Sequence, residues 1–210
     1  MFKDIVQIFP TPVYNFTFPM HNELKQEAVK YLNDDEIYAG SPVNYIKLTD
    51  GKLHKHELFR AYYHFFTDCF DLVMEDLGYS QKQAITTMWG TKQVPGNYHQ
   101  PHKHANAFLA GVYYLHGNDS NGTTFYNTDN FTMIMPDRKP NAVPIITPMV
   151  NLPFEEGVLR IFPAWIVHGV HINTSAYDRF ILGVNSMPVG KAEDDRYDRY
   201  FYPDMTQYNL

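Results

Sequence analysis

Cysteine is nearly absent from this 210-residue chain: Cys69 stands alone, so no disulfide framework can form. That suits a reducing compartment. Long apolar runs are missing too. No stretch of 18 apolar residues occurs, which argues against a membrane-spanning helix. The opening Met1-Phe2-Lys3-Asp4 lacks the continuous apolar core of a secretory signal, so a cytoplasmic protein is expected. Positive charge is in short supply, with 17 Lys and Arg against 23 Asp and Glu and a net charge of −6. Without a basic stripe there is no electrostatic reason to expect nucleic acid or an anionic membrane as partner. No internal repeat, low-complexity tract or interdomain linker interrupts the chain, and a single domain over residues 1–210 is expected. What the chain does have is apolar mass: 44% hydrophobic and 16% aromatic residues, enough for a sizeable core.

Two halves differ in rhythm. Residues 5–18 read as extended chain broken by Pro10 and Pro12. Asn22 could cap a short helix carrying Leu24, Ala28, Tyr31 and Leu32. The clearest helix places Leu58, Ala61, Tyr62, Phe65, Phe66, Cys69, Leu72, Val73 and Leu77 on one stripe of helical period, with Gly78 as its stop. From about residue 84 the pattern changes to short strand-like runs between turn residues, at 84–91, 107–115, 123–126, 144–146, 158–162, 166–172 and 179–185. The outline is α+β, mainly β: N-terminal strand and helical support over 1–83, packed on one sheet of a jelly-roll core over 84–187. The charged, Tyr-rich tail from 188 to 210 reads first as a solvated extension partly docked by its Tyr and Phe residues; the second reading has it wrap the domain or make a subunit contact, which leaves a homodimer open.

Three of the ten histidines fall within Gly96-Asn97-Tyr98-His99-Gln100-Pro101-His102-Lys103-His104. In extended chain, residues two apart point the same way, so His102 and His104 can present two imidazoles to one ion. A second stretch, Val158-Leu159-Arg160-Ile161-Phe162-Pro163-Ala164-Trp165-Ile166-Val167-His168, ends an apolar strand pair in a histidine. Such a histidine loses hydration and needs a hydrogen-bond partner or an ion. His171, at an odd offset from His168, is aimed at the opposite face. His54, His56 and His64 read as surface or core-edge residues. Arg179 opens the next strand. If that strand and 166–172 form a hairpin, His168 lies about four rungs away, on the order of 13 Å at roughly 3.3 Å per residue. A five-carbon diacid chelating a metal and an arginine side chain would span that gap, since guanidinium binds carboxylate through two parallel bonds. Gly183, on the same face, would leave room for the ligand.

These residues resemble the Fe(II)/2-oxoglutarate-dependent oxygenase superfamily, and its prolyl-hydroxylase-like branch most of all. The resemblance runs from about Trp89 to Asn185, through the His-x-His pair, Phe108-Leu109-Ala110-Gly111-Val112-Tyr113-Tyr114-Leu115, Asn121-Gly122-Thr123-Thr124-Phe125, Gly157 to Pro163, His168 and Arg179. The opening Ile8-Phe9-Pro10-Thr11-Pro12-Val13-Tyr14 is similar to that of small oxygenases from marine phages and bacteria. The resemblance implies a double-stranded β-helix, Fe(II) and 2-oxoglutarate as cofactors, O2 as co-substrate, and a hydroxylase acting on an amino acid, a peptidyl residue such as proline, or another small molecule. It implies His102 and His168 as iron ligands, Arg179 as partner of the 2-oxoglutarate carboxylate far from iron, and Tyr114 as a hydroxyl donor to that carboxylate.

One departure stands out. The family's usual triad is two histidines and a carboxylate, whereas here His104 occupies the carboxylate position of His-x-Asp. Either His104 is the third metal ligand, or Asp119 or Asp129 arrives from another loop; His99 could also displace one of the pair. The first requires fewest assumptions. Three neutral imidazoles leave the site one negative charge short, which should lower its affinity for Fe(II) and raise the metal's Lewis acidity. Two rival readings remain. A cupin-type metalloprotein would share the barrel and bind metal without 2-oxoglutarate, since Gly96-x5-His102-x-His104 and Gly157-x5-Pro163-x4-His168 nearly match cupin motifs. It would leave Arg179 unexplained, and the glutamate expected after His104 is missing. A non-enzymatic β-sandwich, serving structure or binding, would hold neither metal nor keto acid.

Overall fold

The computed structural model describes residues 9–38, 46–117, 121–128, 137 and 147–189. The first strand, β1 (Tyr14–Thr17), leads into helix α1 (His21–Leu32). Asn22 lies inside the first turn of that helix; Met20 holds the cap position and makes no side-chain cap bond. The helix begins two residues earlier than an Asn22 cap would give, and its first residue, His21, is buried with its ring against the hydroxyl of Tyr113. After the two-residue strand β2 (Lys47–Leu48) and short 3-10 turns comes helix α2 (Arg60–Asp76). Its buried face is Tyr62, Phe66, Cys69, Phe70, Val73 and Met74. Leu72, expected in that stripe, is exposed, and Phe70 and Met74 point inward instead. Gly78 adopts φ +81°, and the Tyr79 N–H reaches back to the Met74 carbonyl, closing the helix as a glycine stop does.

Eight further strands follow: β3 (Gln83–Gln93), β4 (His99–His102), β5 (Leu109–His116), β6 (Thr123–Tyr126), β7 (Met149–Leu152), β8 (Val158–Pro163), β9 (Val167–Val170) and β10 (Arg179–Pro188). They form two antiparallel sheets, β1-β8-β5-β10-β3-β2 and β4-β9-β6-β7. This is the double-stranded β-helix, with both helices on the outer side of the larger sheet. Strand β7 was not anticipated, because Met149 and Val150 are both exposed and show no alternation. The expected strand at 144–146 and the tail from 190 onward lie outside the described residues, as do Asp119 and Asp129.

The larger sheet is buried on both faces. Leu109, Tyr113, Leu115, Leu159, Ile161, Phe180, Leu182 and Val184 pack with α2 into one large core. The opposite face carries Val112, Thr91, Ile181 and Gly183 toward the smaller sheet. A bulge between Asn185 and Ser186 in the β10–β3 register keeps Ile85 and Met88 on the helix side despite their odd spacing.

The expected hairpin of β9 and β10 does not form. Strand β9 pairs with β4 and β6 in the small sheet, and β10 with β3 and β5 in the large one. The segment between them turns a corner, pinned by Asn173. Its amide donates to the carbonyls of Gln93 and Tyr177, while its oxygen accepts from Ser175. Local side-chain bonds of this kind outcompete a tight two-strand turn. His168 and Arg179 therefore stand on facing sheets rather than on neighbouring rungs.

Candidate metal centre

Strand β4 pairs with β9 so that His102 is directly opposite His168. His104 lies two residues further on, its backbone N–H held by the carbonyl of Ala164. The result brings the expected trio together: one ligand atom each from His102, His104 and His168 lies within 4.8 Å of the others. His171 is exposed, as its offset predicted, and contributes only its backbone carbonyl, to Arg179.

Each ring has its second nitrogen occupied. Nδ1 of His102 donates to the Gln100 carbonyl at 2.7 Å, and Nδ1 of His168 donates to the Ile166 carbonyl at 2.9 Å. Nδ1 of His104 donates to Oδ1 of Asn185. A carbonyl oxygen can only accept, so these bonds place the single proton of each neutral ring on Nδ1 and leave a lone pair on Nε2. Nε2 of His102 and of His104 then face each other at 3.2 Å with no proton between them. Two lone pairs so placed repel unless a cation sits between. Imidazoles about 2.1 Å from one metal at right angles would be about 3.0 Å apart, close to that spacing.

Burial supports the same charge state. It lowers the pKa of His102 and His104, and of His168 to about 3, against which the nearby backbone and Asn185 bonds work only partly. Phe162 edges onto the His168 ring at 4.6 Å, and Trp89 tilts over His104 at 5.6 Å. His99 stacks on His102 at 4.1 Å; it lines the cavity without joining the trio of converging ligand atoms.

The trio opens into a pocket walled also by Trp89, Thr91, Gln93, Thr123, Ile181 and Gly183. Gly183 does not leave its space empty. A Cβ there would run into the Trp89 indole, so the absent side chain makes room for Trp89. Thr91 contributes a buried hydroxyl with no partner, a costly arrangement that a bound ligand would relieve. Gln93 accepts from Arg179 Nε at 2.6 Å, and Arg179 also donates to the carbonyls of Asn121 and His171. Arg179 is wholly buried, not a solvated strand end; its strand neighbour Asp178 pairs with Lys92 instead. Tyr114 stands one hydrogen bond back from the cavity. Its hydroxyl meets Thr123 Oγ1 at 2.7 Å and accepts from Arg160 at 3.0 Å.

Three of these neighbours were not singled out in the sequence: Thr91, Gln93 and Asn185. The signal for them is parity. Trp89, Thr91 and Gln93 alternate along β3, and Asn185 shares the face of Arg179, Ile181 and Gly183 on β10.

Residues 87–185 match the family model described as "Putative 2OG-Fe(II) oxygenase". No curated protein sequence matches the chain. Among solved structures it is similar to the non-haem alpha-ketoglutarate-dependent epimerase SnoN of nogalamycin biosynthesis, at 16% identity and TM-score 0.61, covering 84% of this chain and 76% of that one. It is similar to a prolyl-4-hydroxylase from Pseudomonas putida, at 12% identity and TM-score 0.60, covering 86% and 94%. HygX from Streptomyces hygroscopicus, crystallised with nickel and 2-oxoglutarate, gives 10% identity and TM-score 0.57 over 92% of both chains. At these identities the solved structures speak to the fold.

Proposed function

We propose that this chain is an Fe(II)/2-oxoglutarate-dependent oxygenase, a reading supported by the family-model match over residues 87–185, that His102, His104 and His168 hold its iron, and that Arg179 and Thr123, the latter backed by Tyr114, receive the 2-oxoglutarate carboxylate far from the metal. The observation that carries the metal assignment is the pair of Nε2 atoms facing each other at 3.2 Å, with a third ring beside them. The donor set fits the group: neutral imidazoles suit a divalent first-row metal, and the open cavity leaves room for further ligands. The orphaned Thr91 hydroxyl and the amide of Gln93 lie along the same wall. They fit a carboxylate better than an apolar ligand.

Bound iron and 2-oxoglutarate supply O2 activation and insertion of one oxygen atom into a substrate C–H bond, the keto acid leaving as succinate and CO2. The chain's own side chains do the rest. Gln100, Ile166 and Asn185 lock the ligand rings in one tautomer. Trp89, Phe162 and Ile181 exclude water from the site. Arg179 fixes the keto acid's orientation through its planar fork. We assign the substrate to amino acids, peptidyl residues, proline included, or another small molecule, the prolyl hydroxylase among the similar structures supporting the peptidyl class. The chain's location is assigned to the cytoplasm, which its single, buried cysteine suits. The acidic balance speaks against a nucleic-acid substrate.

Anaerobic titration tests the assignment. Fe(II) with 2-oxoglutarate should bind one-to-one and give a visible metal-to-ligand charge-transfer band. His168→Ala should abolish both while circular dichroism stays unchanged. Metal bound with no such band would favour the cupin reading, and no binding at all the non-enzymatic one. Incubation with candidate peptides and amino acids, read by mass spectrometry for the gain of one oxygen, identifies the substrate.

A further inference from the structure

Among the described residues, no negative charge touches the trio. The three rings are neutral, and each is held from behind by an uncharged acceptor: the Gln100 carbonyl, the Ile166 carbonyl and the Asn185 amide. The other cavity walls, Trp89, Thr91, Gln93, His99, Val112, Thr123, Val170, Ile181 and Gly183, carry no carboxylate. A divalent cation entering here brings two charges into a partly buried site where no carboxylate among the described residues offsets them. A chelating dianion would supply that missing charge, and it would be drawn in by the metal for the same reason.

Resting on the metal and keto-acid assignment above, we propose that this centre takes up metal and 2-oxoglutarate as a strongly coupled pair, so that metal retention follows the concentration of the keto acid. The coupling is reciprocal: the factor by which 2-oxoglutarate tightens the metal equals the factor by which the metal tightens 2-oxoglutarate. Chelation alone gives some coupling in any such site. What is particular to this chain is the share contributed by charge, and that share resides in His104 and Asn185. His104→Asp places a carboxylate in the ligand set. Asn185→Asp leaves the ligands untouched and places a carboxylate behind the His104 ring, where it donates charge through the Nδ1–H bond.

The measurement is anaerobic calorimetry of Fe(II) binding to the whole chain, with and without saturating 2-oxoglutarate, in the native protein and both variants. The native protein should show a coupling of about 100-fold, near the upper end of common values. In either variant, affinity for Fe(II) alone should rise roughly tenfold and the coupling should fall by about the same factor. Circular dichroism reports folding, and if His104→Asp fails to fold then Asn185→Asp carries the test alone. Fe(II) affinity that is the same with and without 2-oxoglutarate, or coupling unchanged in a folded variant, overturns the proposal while leaving the metal centre standing. Failure of the native protein to bind Fe(II) under either condition removes the metal assignment itself.

Discussion

Thr91 illustrates what single side chains contribute. Its hydroxyl is buried without a partner, so in the free protein it costs stability. Thr91→Val, of the same shape, should therefore leave the melting temperature unchanged or slightly raised. If the hydroxyl serves the keto acid, the same change should weaken 2-oxoglutarate binding by roughly five- to tenfold, the worth of about one hydrogen bond. Calorimetry of both quantities checks this; unchanged affinity would remove Thr91 from the site. Arg179→Lys keeps the charge but loses the fork, and should weaken 2-oxoglutarate far more than Fe(II). Equal loss of both would mean that the arginine serves the fold. Gly183→Ala forces a methyl group against the Trp89 ring and should cost about 1–3 kcal/mol in denaturant unfolding. The histidines were readable from sequence because parity in extended chain and an apolar setting single them out. Thr91, Gln93 and Asn185 were not, because alternation names a face only after one knows which face is the cavity.

At the level of elements, helix α2 supports the larger sheet. Phe66 is fully buried and meets Tyr62 and Tyr113 edge-on or tilted at 6.3 and 5.4 Å. Phe66→Ala should cost about 3–5 kcal/mol, checked by urea unfolding, because the aromatic cluster cannot collapse around the gap. That helix was legible to within a turn, since its stripe repeats for five turns and Gly78 ends it. The exchange of Leu72 for Phe70 and Met74 is a rotation of the buried face about the helix axis, which the apolar stripe alone does not set. The topology was less legible. Strands β9 and β10 follow one another in sequence with a polar turn between, which is how a hairpin reads. Only the bonds of Asn173 to Gln93, eighty residues away, reveal that the chain is crossing between sheets. The edge strand β7 escaped notice because both its faces meet solvent at Met149 and Val150.

Across the whole molecule, helix α1 is tied to the barrel through Glu156. This residue accepts from Lys25 at 2.6 Å, from His116 at 2.7 Å and from the Gly117 N–H at 2.9 Å. Burial alone would raise its pKa, but these bonds together outweigh burial and hold the carboxyl at about 2. A carboxyl more acidic in the folded state stabilises fully above its ordinary value of 4.5, and that stabilisation is lost as the pH falls toward 2. His21, lowered by burial, acts in the same direction: the fold favours its neutral ring, and stability declines as the pH falls below 6.5. Melting temperature should therefore drop on acidification. Glu156→Gln should lower it at pH 7 by about 2–4 °C and flatten the acid limb below pH 4.5. An acid limb identical in the variant would mean that other groups set it.

All of the chemistry assigned here depends on three imidazole lone pairs meeting at one cation. Anomalous diffraction at the iron edge, from crystals grown anaerobically with Fe(II) and 2-oxoglutarate, addresses that directly. One strong peak bonded to Nε2 of His102, His104 and His168, with the keto acid chelating the same ion, is the predicted result. An iron peak elsewhere, or none beside these rings, would contradict it.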